Sequence, residues 1–144
     1  MTELICKPFR ENHADIFECQ PAFLQQFKIS MPLLVSLGQI DQCGSHMIDG
    51  RILYVGGWYE AAPGVAEMYI YPSVYTQQYA KTFFKEARWW VQHLKRQYRR
   101  VQCWGEDTEL SRRWLKRIGF ELEGVLNGFC ENGSAMLVWG ASGV

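Results

Sequence analysis

Residues 111–120, SRRWLKRIGF, form the stretch whose reading decides the architecture. The spacing predicts a short amphipathic helix over Glu109–Ile118, closed by Gly119, the residue type that most easily takes the backbone turn ending a helix. Phe120 then opens a strand that runs to Leu126. Upstream, Arg100–Trp104 reads as a short strand, and Val74–Arg96 as the longest helix. That helix has an apolar stripe of Phe83, Ala87, Trp90, Val91 and Leu94 opposite Lys81, Lys85, Arg88, Gln92 and Lys95.

Farther out, residues 44–72 are rich in β-branched and aromatic side chains and are divided by Asp49-Gly50 and Pro63-Gly64. Asp-Gly favours the two-residue hairpin turn, so three meandering strands are expected. Between Glu11 and Leu37 apolar residues recur at helical intervals, with breaks near Pro21 and Pro32, which predicts two short helices. Residues 2–8 read as an opening strand ending at Pro8, and Asn132-Gly133 turns the chain into a last strand, Ala135–Trp139. A strand-helix-strand unit inside a largely antiparallel meander implies a mixed α/β sheet with helices packed on it.

The 144 residues suit a single domain with one sizeable core, and an apolar share of 48% separates the chain from disordered compositions. Five scattered cysteines, with no Cys-x-x-Cys or Cys/His ligand spacing, read as reduced thiols in a cytosol-like compartment and not as a metal site. No apolar run approaches the roughly 18 residues of a membrane span, and no leader pattern opens the chain, so a soluble, unprocessed protein is expected. Net charge is zero, yet residues 81–117 hold eleven of the fifteen Lys and Arg against four acids. This makes a basic segment without a nucleic-acid motif, read as a solvated face or a protein docking site.

The order of elements, the ending LSRRWLKRIGFELEG (residues 110–124), the strand end Tyr69-Ile70-Tyr71-Pro72 before a long helix, and the hairpin at Asn132-Gly133 together resemble the GCN5-related N-acetyltransferase (GNAT) superfamily. The resemblance is strongest from Gly44 to Trp139. It implies an acyl-CoA N-acyltransferase fold: a mixed, mostly antiparallel twisted sheet with helices on both faces. In that family the fourth strand splays from the fifth to admit acetyl-CoA, and the next helix receives the pyrophosphate on its unpaired N–H groups.

Laid on this chain, the family's phosphate loop, Arg/Gln-x-x-Gly-x-Gly/Ala, falls on Tyr75, Gln78 and Ala80, with Gln77 as a further polar contact. Only Ala80 satisfies the pattern, and no glycine occurs between Ser73 and Gly105. Many members place a tyrosine four residues before the glycine of Gly-Phe to protonate the departing thiolate. Here that position is Leu115, which has no exchangeable proton, and the family's frequent upstream asparagine corresponds to Thr108. Glu67, on the presumed fourth strand, is the candidate general base, set against the bland reading of a solvated carboxylate on a half-exposed strand. His46 has no second ligand at metal spacing, and His13 and His93 sit on helices without evident partners.

Two functions remain open at this point. The favoured one is a degenerate GNAT-fold protein acting as a binding or assembly module. The ending Arg113–Gly119 is similar to that of small GNAT-like proteins of tailed bacteriophages, which implies a virion, portal or tail protein as partner and a location in the host cytoplasm or the virion. In that reading Trp89, beside the stripe residue Trp90, is a contact residue. The alternative is an acetyl-CoA-dependent N-acetyltransferase acting on an amine.

Overall fold

Residues 4–142 are described by a computed structural model. The elements are β1 (Ile5–Pro8), a short 3-10 helix (Glu11–Asp15), α1 (Pro21–Gln39), β2 (Cys43–Ile48), β3 (Arg51–Ala62), β4 (Val65–Pro72), α2 (Ala80–Gln97), β5 (Arg100–Glu106), α3 (Glu109–Ile118), β6 (Glu121–Leu126) and β7 (Met136–Ser142). Part of the expected opening strand lies outside the described residues. The strands hydrogen-bond in the order β1-β2-β3-β4-β5-β7-β6. Pairs β1/β2, β2/β3, β5/β7 and β6/β7 are antiparallel, while β4/β5 is parallel, so the sheet is mixed and mostly antiparallel. A parallel pair needs a long crossover, and α2 supplies it.

The chain divides into two compact units, one running through Tyr59 and resuming at Tyr69–Phe83, the other comprising Glu60–Met68 and everything from Phe84 onward. The first unit is built around aromatic edge-to-face contacts. Phe27 meets Phe9, Phe17 and Tyr71 at centroid distances of 6.2, 5.0 and 5.4 Å, beside the buried Leu34, Leu53 and Val55. In the second unit Phe84, Ala87, Val91 and Leu94 of α2, Trp114, Leu115 and Ile118 of α3, and Val101, Leu137 and Trp139 of the strands are buried. Phe84 meets the Trp114 ring edge-on at 5.7 Å, and the Arg117 guanidinium lies 4.0 Å over the Phe84 ring.

Three expectations need correction. The two helices foreseen between Glu11 and Leu37 are a single 3-10 turn and one long helix, α1, that runs through Pro32. A helix-interior proline forfeits one backbone bond and costs about 3 kcal/mol. The buried residues Phe23 and Phe27 before it, and Leu34 and Leu37 after it, keep one helix packed on both sides of the break. The other break, at Pro21, is the start of α1, where proline in the first turn loses no helical bond. The long helix α2 begins at Ala80, not at Val74. Residues 73–79 wind into successive tight turns, Thr76 N–H to Ser73 O, Gln78 N–H to Tyr75 O and Tyr79 N–H to Thr76 O. They are pinned at one end by Val74 N–H to Glu18 O and Gln20 N–H to Pro72 O.

The third correction concerns the histidines. His13 Nδ1 lies 2.9 Å from Ser45 Oγ, and His93 stacks on Trp89 at 4.8 Å while its Nε2 meets Gln97 Nε2 at 3.2 Å, so both have partners.

α3 has the bounds its sequence predicts, and its ends show why. Thr108 caps it, its Oγ1 accepting the Ser111 N–H at 3.0 Å, and Gly119 ends it at φ +124°, where a side chain would be strained. Thr108→Ala is expected to lower stability by about 1 kcal/mol, the usual cost of a lost N-cap. A urea titration with unchanged slope and a lower midpoint is the check.

His46 is buried and stacked flat on Tyr54 at 4.1 Å, and burial pushes its pKa down to about 4. A histidine held neutral in the fold but protonated in the unfolded chain stabilises fully above the ordinary value of 6.5. Its contribution is lost as pH falls from there toward 4. Urea midpoints measured between pH 7.5 and 4 are expected to drop across that window, and His46→Phe, which keeps the stack, is expected to flatten the drop.

Candidate functional site

Glu67 lies at the end of the parallel ladder. The β4/β5 register pairs Val65 with Arg100, Ala66 with Val101 and Glu67 with Gln102, and goes no further, although β4 runs to Pro72 and β5 to Glu106. Side chains opposite one another share a face of the sheet, and alternate residues along a strand return to it. Glu67, Gln102 and Trp104 therefore share one face. Gln102 Nε2 donates to Glu67 Oε1 at 2.9 Å, and Trp104 Nε1 donates to the same oxygen at 3.0 Å. Far from being the solvated carboxylate of a half-exposed strand, Glu67 is 8% exposed and held by neutral donors. These two donors fix the orientation of the carboxylate.

The polar chain continues along this face. Arg100 Nε donates to Gln102 Oε1 at 3.0 Å, and the Arg100 guanidinium forms a bidentate pair with Glu123 at 2.6 and 3.0 Å. At the other side, Phe129 of the β6/β7 turn stacks on Trp104 at 6.3 Å while remaining 60% exposed. The turn is held to the end of β5 by Ser134 Oγ and Asn132 Nδ2, which donate to Glu106 Oε1 at 2.6 and 3.0 Å. Sequence reading missed Gln102, Trp104 and Phe129 as site residues. The only signal for Gln102 and Trp104 was the alternation of polar and apolar residues in β5, and Phe129 had none.

Leu115, where the resemblance leads one to look for a proton donor, is 2% exposed, and its carbonyl accepts from Gly119 and Phe120 N–H. One turn earlier on the same helix, Ser111 Oγ is buried without a hydrogen-bond partner, as is the Trp139 indole N–H. Both border Gly105, where a Cβ would come within 3.0 Å of Ser111 Oγ and 3.8 Å of Trp139 Nε1. Orphaned buried polar groups are costly and rare, and two of them lie together here.

The loop ahead of α2 brings together the residues to which the resemblance assigns phosphate binding, in a form unlike the family's cradle. The Tyr75 hydroxyl donates to Glu18, its ring lies under the Arg51 guanidinium at 4.5 Å, and the Tyr79 hydroxyl donates to Asp49 Oδ2 at 2.5 Å. Those hydrogen bonds to carboxylates hold both phenols above their ordinary pKa. The N–H groups of Thr76, Gln78 and Tyr79 are consumed inside the turns, while Thr76 Oγ1 is buried without a partner. The first helical bond entering from the turn is Phe83 N–H to Tyr79 O. The N–H groups at Ala80, Lys81 and Thr82 are thus the orphan donors of the helix start, the part of this segment that fits an anion. Gln77 and Gln78 are exposed beside it.

Neither the cysteines nor the histidines assemble a second centre. Burial pushes the Cys19 and Cys43 thiols up to about 12 and raises Cys103 as well, the opposite of an activated nucleophile. No group of three or more His, Cys, Asp or Glu among the described residues is placed to hold a metal ion. Likewise among them, no helix is long and apolar enough to cross a membrane.

Sequence comparison matches no family profile and no curated protein. Structural comparison does find solved structures of similar fold. A GCN5-related N-acetyltransferase from Brucella melitensis superposes with a TM-score of 0.70 at 15% identity, covering 97% of this chain and 76% of that one. Ard1 from Thermoplasma volcanium gives 0.71 at 9% identity over 96% and 97% of the two chains. A GNAT-family acetyltransferase from Bacillus anthracis gives 0.68 at 8% identity over 99% and 97%. With seven strands in this order among the described residues and the strand-helix-strand crossover between β4 and β5, the fold of this chain is that of the GCN5-related N-acetyltransferases.

Proposed function

We propose that the protein is an acyl-CoA-dependent N-acyltransferase with Glu67 as its base. One observation carries this reading: a buried carboxylate on β4, oriented by two N–H donors at the point where the parallel ladder stops. A primary amine is protonated near neutral pH and must lose a proton to become a nucleophile. A positioned carboxylate that accepts that proton, directly or through water, contributes typically 10²–10⁴-fold to rate. Acetyl-CoA, when bound, supplies the acetyl thioester. The helix-start N–H groups at Ala80, Lys81 and Thr82, with Gln77 beside them, are the groups of this chain suited to its phosphates. Leu115 has no proton to offer the departing thiolate, and the orphaned Ser111 hydroxyl is the hydrogen-bond donor nearest to it on the same face of α3.

The test is a calorimetric titration with acetyl-CoA, followed by release of free CoA thiol in the presence of a panel of primary amines. Saturable binding and amine-dependent thiol release support the reading. Absence of binding at millimolar acetyl-CoA would sink it.

A second reading, a binding module without catalysis, has its own observation. Trp89 is 52% exposed on α2 and stacks flat on His93, near Lys85, Arg88 and Arg96, which make no ion pair among the described residues. Trp and Arg are the side chains most enriched at protein interfaces, so an acidic protein surface fits there. A virion, portal or tail partner draws only on the seven residues Arg113–Gly119, and the acetyltransferases of the same fold favour the first reading.

A further inference from the structure

We infer that the acceptor is an amine whose ammonium is attached through a short linker to an aromatic or bulky apolar group, the ammonium at the Glu67 carboxylate and the apolar group on the adjoining Trp104–Phe129 ring pair. The inference rests on the acyltransferase reading for the role of the amine. Glu67 and Trp104 share one face of the sheet and Phe129 stacks on Trp104, all within a single unit.

A single exposed apolar side chain is ordinary, and what distinguishes Phe129 is its seat. It stands 60% exposed on the β6/β7 turn, its ring 6.3 Å from Trp104 and 29° from parallel with it. The turn that carries it is anchored, because Ser134 and Asn132 both donate to Glu106, and Ser134 N–H and Oγ both donate to Asn132 Oδ1. The result is an aromatic ledge on a fixed support, with the Trp104 indole joining it directly to Glu67.

The ledge and the carboxylate ask for different halves of one molecule. Aromatic faces attract a cation and apolar carbon alike, whereas the carboxylate selects positive charge and a transferable N–H. Trp104 cannot itself serve as the acid or base, since its indole N–H is only a donor. A ligand with charge but no ring would forfeit the ledge. A ligand with a ring but no charge would forfeit the attraction of the carboxylate.

The experiment is a set of calorimetric titrations of the full chain, with and without CoA, using phenethylammonium, ethylammonium and 2-phenylethanol as probes. Saturable binding of phenethylammonium is expected, at least about 10-fold tighter than either partial probe. Phe129→Ala, at an exposed position, is expected to weaken phenethylammonium about 10-fold while leaving ethylammonium and acetyl-CoA unchanged, and Phe129→Tyr to restore binding. Equal binding of ethylammonium and phenethylammonium, or an unchanged affinity in Phe129→Ala, would overturn the inference. So would acetyl-CoA binding with no amine bound at all, an outcome that leaves the acyltransferase reading standing. Phenethylammonium binding that depends on Phe129 in a protein that does not bind acetyl-CoA would keep the amine site and remove the reading.

Discussion

Glu67→Gln is expected to lower the rate of acyl transfer by about 10²–10⁴-fold at saturating amine while leaving the fold nearly as stable as before. The reason lies in which of the carboxylate's two jobs the substitution removes. The new amide's carbonyl oxygen still accepts from Gln102 Nε2 and Trp104 Nε1, so neither donor is orphaned. An amide, however, cannot take up a proton near neutral pH. Glu67→Ala separates the terms, since it removes base and acceptor together and is expected to cost a further 1–3 kcal/mol or so of stability for the unsatisfied donors. Rate against pH and urea denaturation on the same two variants make the check. A Glu67→Gln protein that turns over at the parent rate would remove Glu67 from the mechanism, whatever its effect on folding.

Gly38→Ala is expected to be among the most destabilising single-methyl changes in the chain, at or above the upper end of the roughly 1–3 kcal/mol that overpacking usually costs. On helical propensity alone it should stabilise, because alanine is the better helix former by about 1 kcal/mol. Tertiary structure reverses that sign. A Cβ at Gly38 would lie 2.1 Å from the carbonyl oxygen of Phe9, a backbone atom that cannot rotate away. The approach is held by Arg10, whose Nη1 donates to Gly38 O at 3.0 Å and Phe9 O at 3.2 Å, with Phe9 itself fully buried. Equilibrium unfolding in urea gives the measurement. A variant as stable as the parent would show that the first strand's exit shifts freely against α1.

The same contrast runs through the candidate site. Gln102 and Trp104 lie 35 and 37 residues beyond Glu67, and only the parallel register of β4 and β5 makes them its donors. Phe129 belongs to the site because a turn folds back on Trp104, a contact with no local signature in the sequence. The phosphate loop shows the reverse. The missing glycines were visible directly, but their replacement by tight turns pinned to Glu18, Asp49 and Arg51 was not.

The sequence by itself determined α3, the stretch from which the reading began, together with the Asp49-Gly50 turn, seen at φ +50° and +77°, and the order of strands and helices. Caps, turns and apolar periodicity act over a few residues, so about ten residues carry enough information to state them. Only the tertiary structure decided that α1 continues through Pro32, that α2 starts at Ala80, that Gly38 admits no side chain and that Glu67 is buried and doubly held. Each of these sets a local preference of about 1–3 kcal/mol against packing and hydrogen bonds supplied by distant residues, and the distant terms prevail because they are made only once the chain has closed on itself.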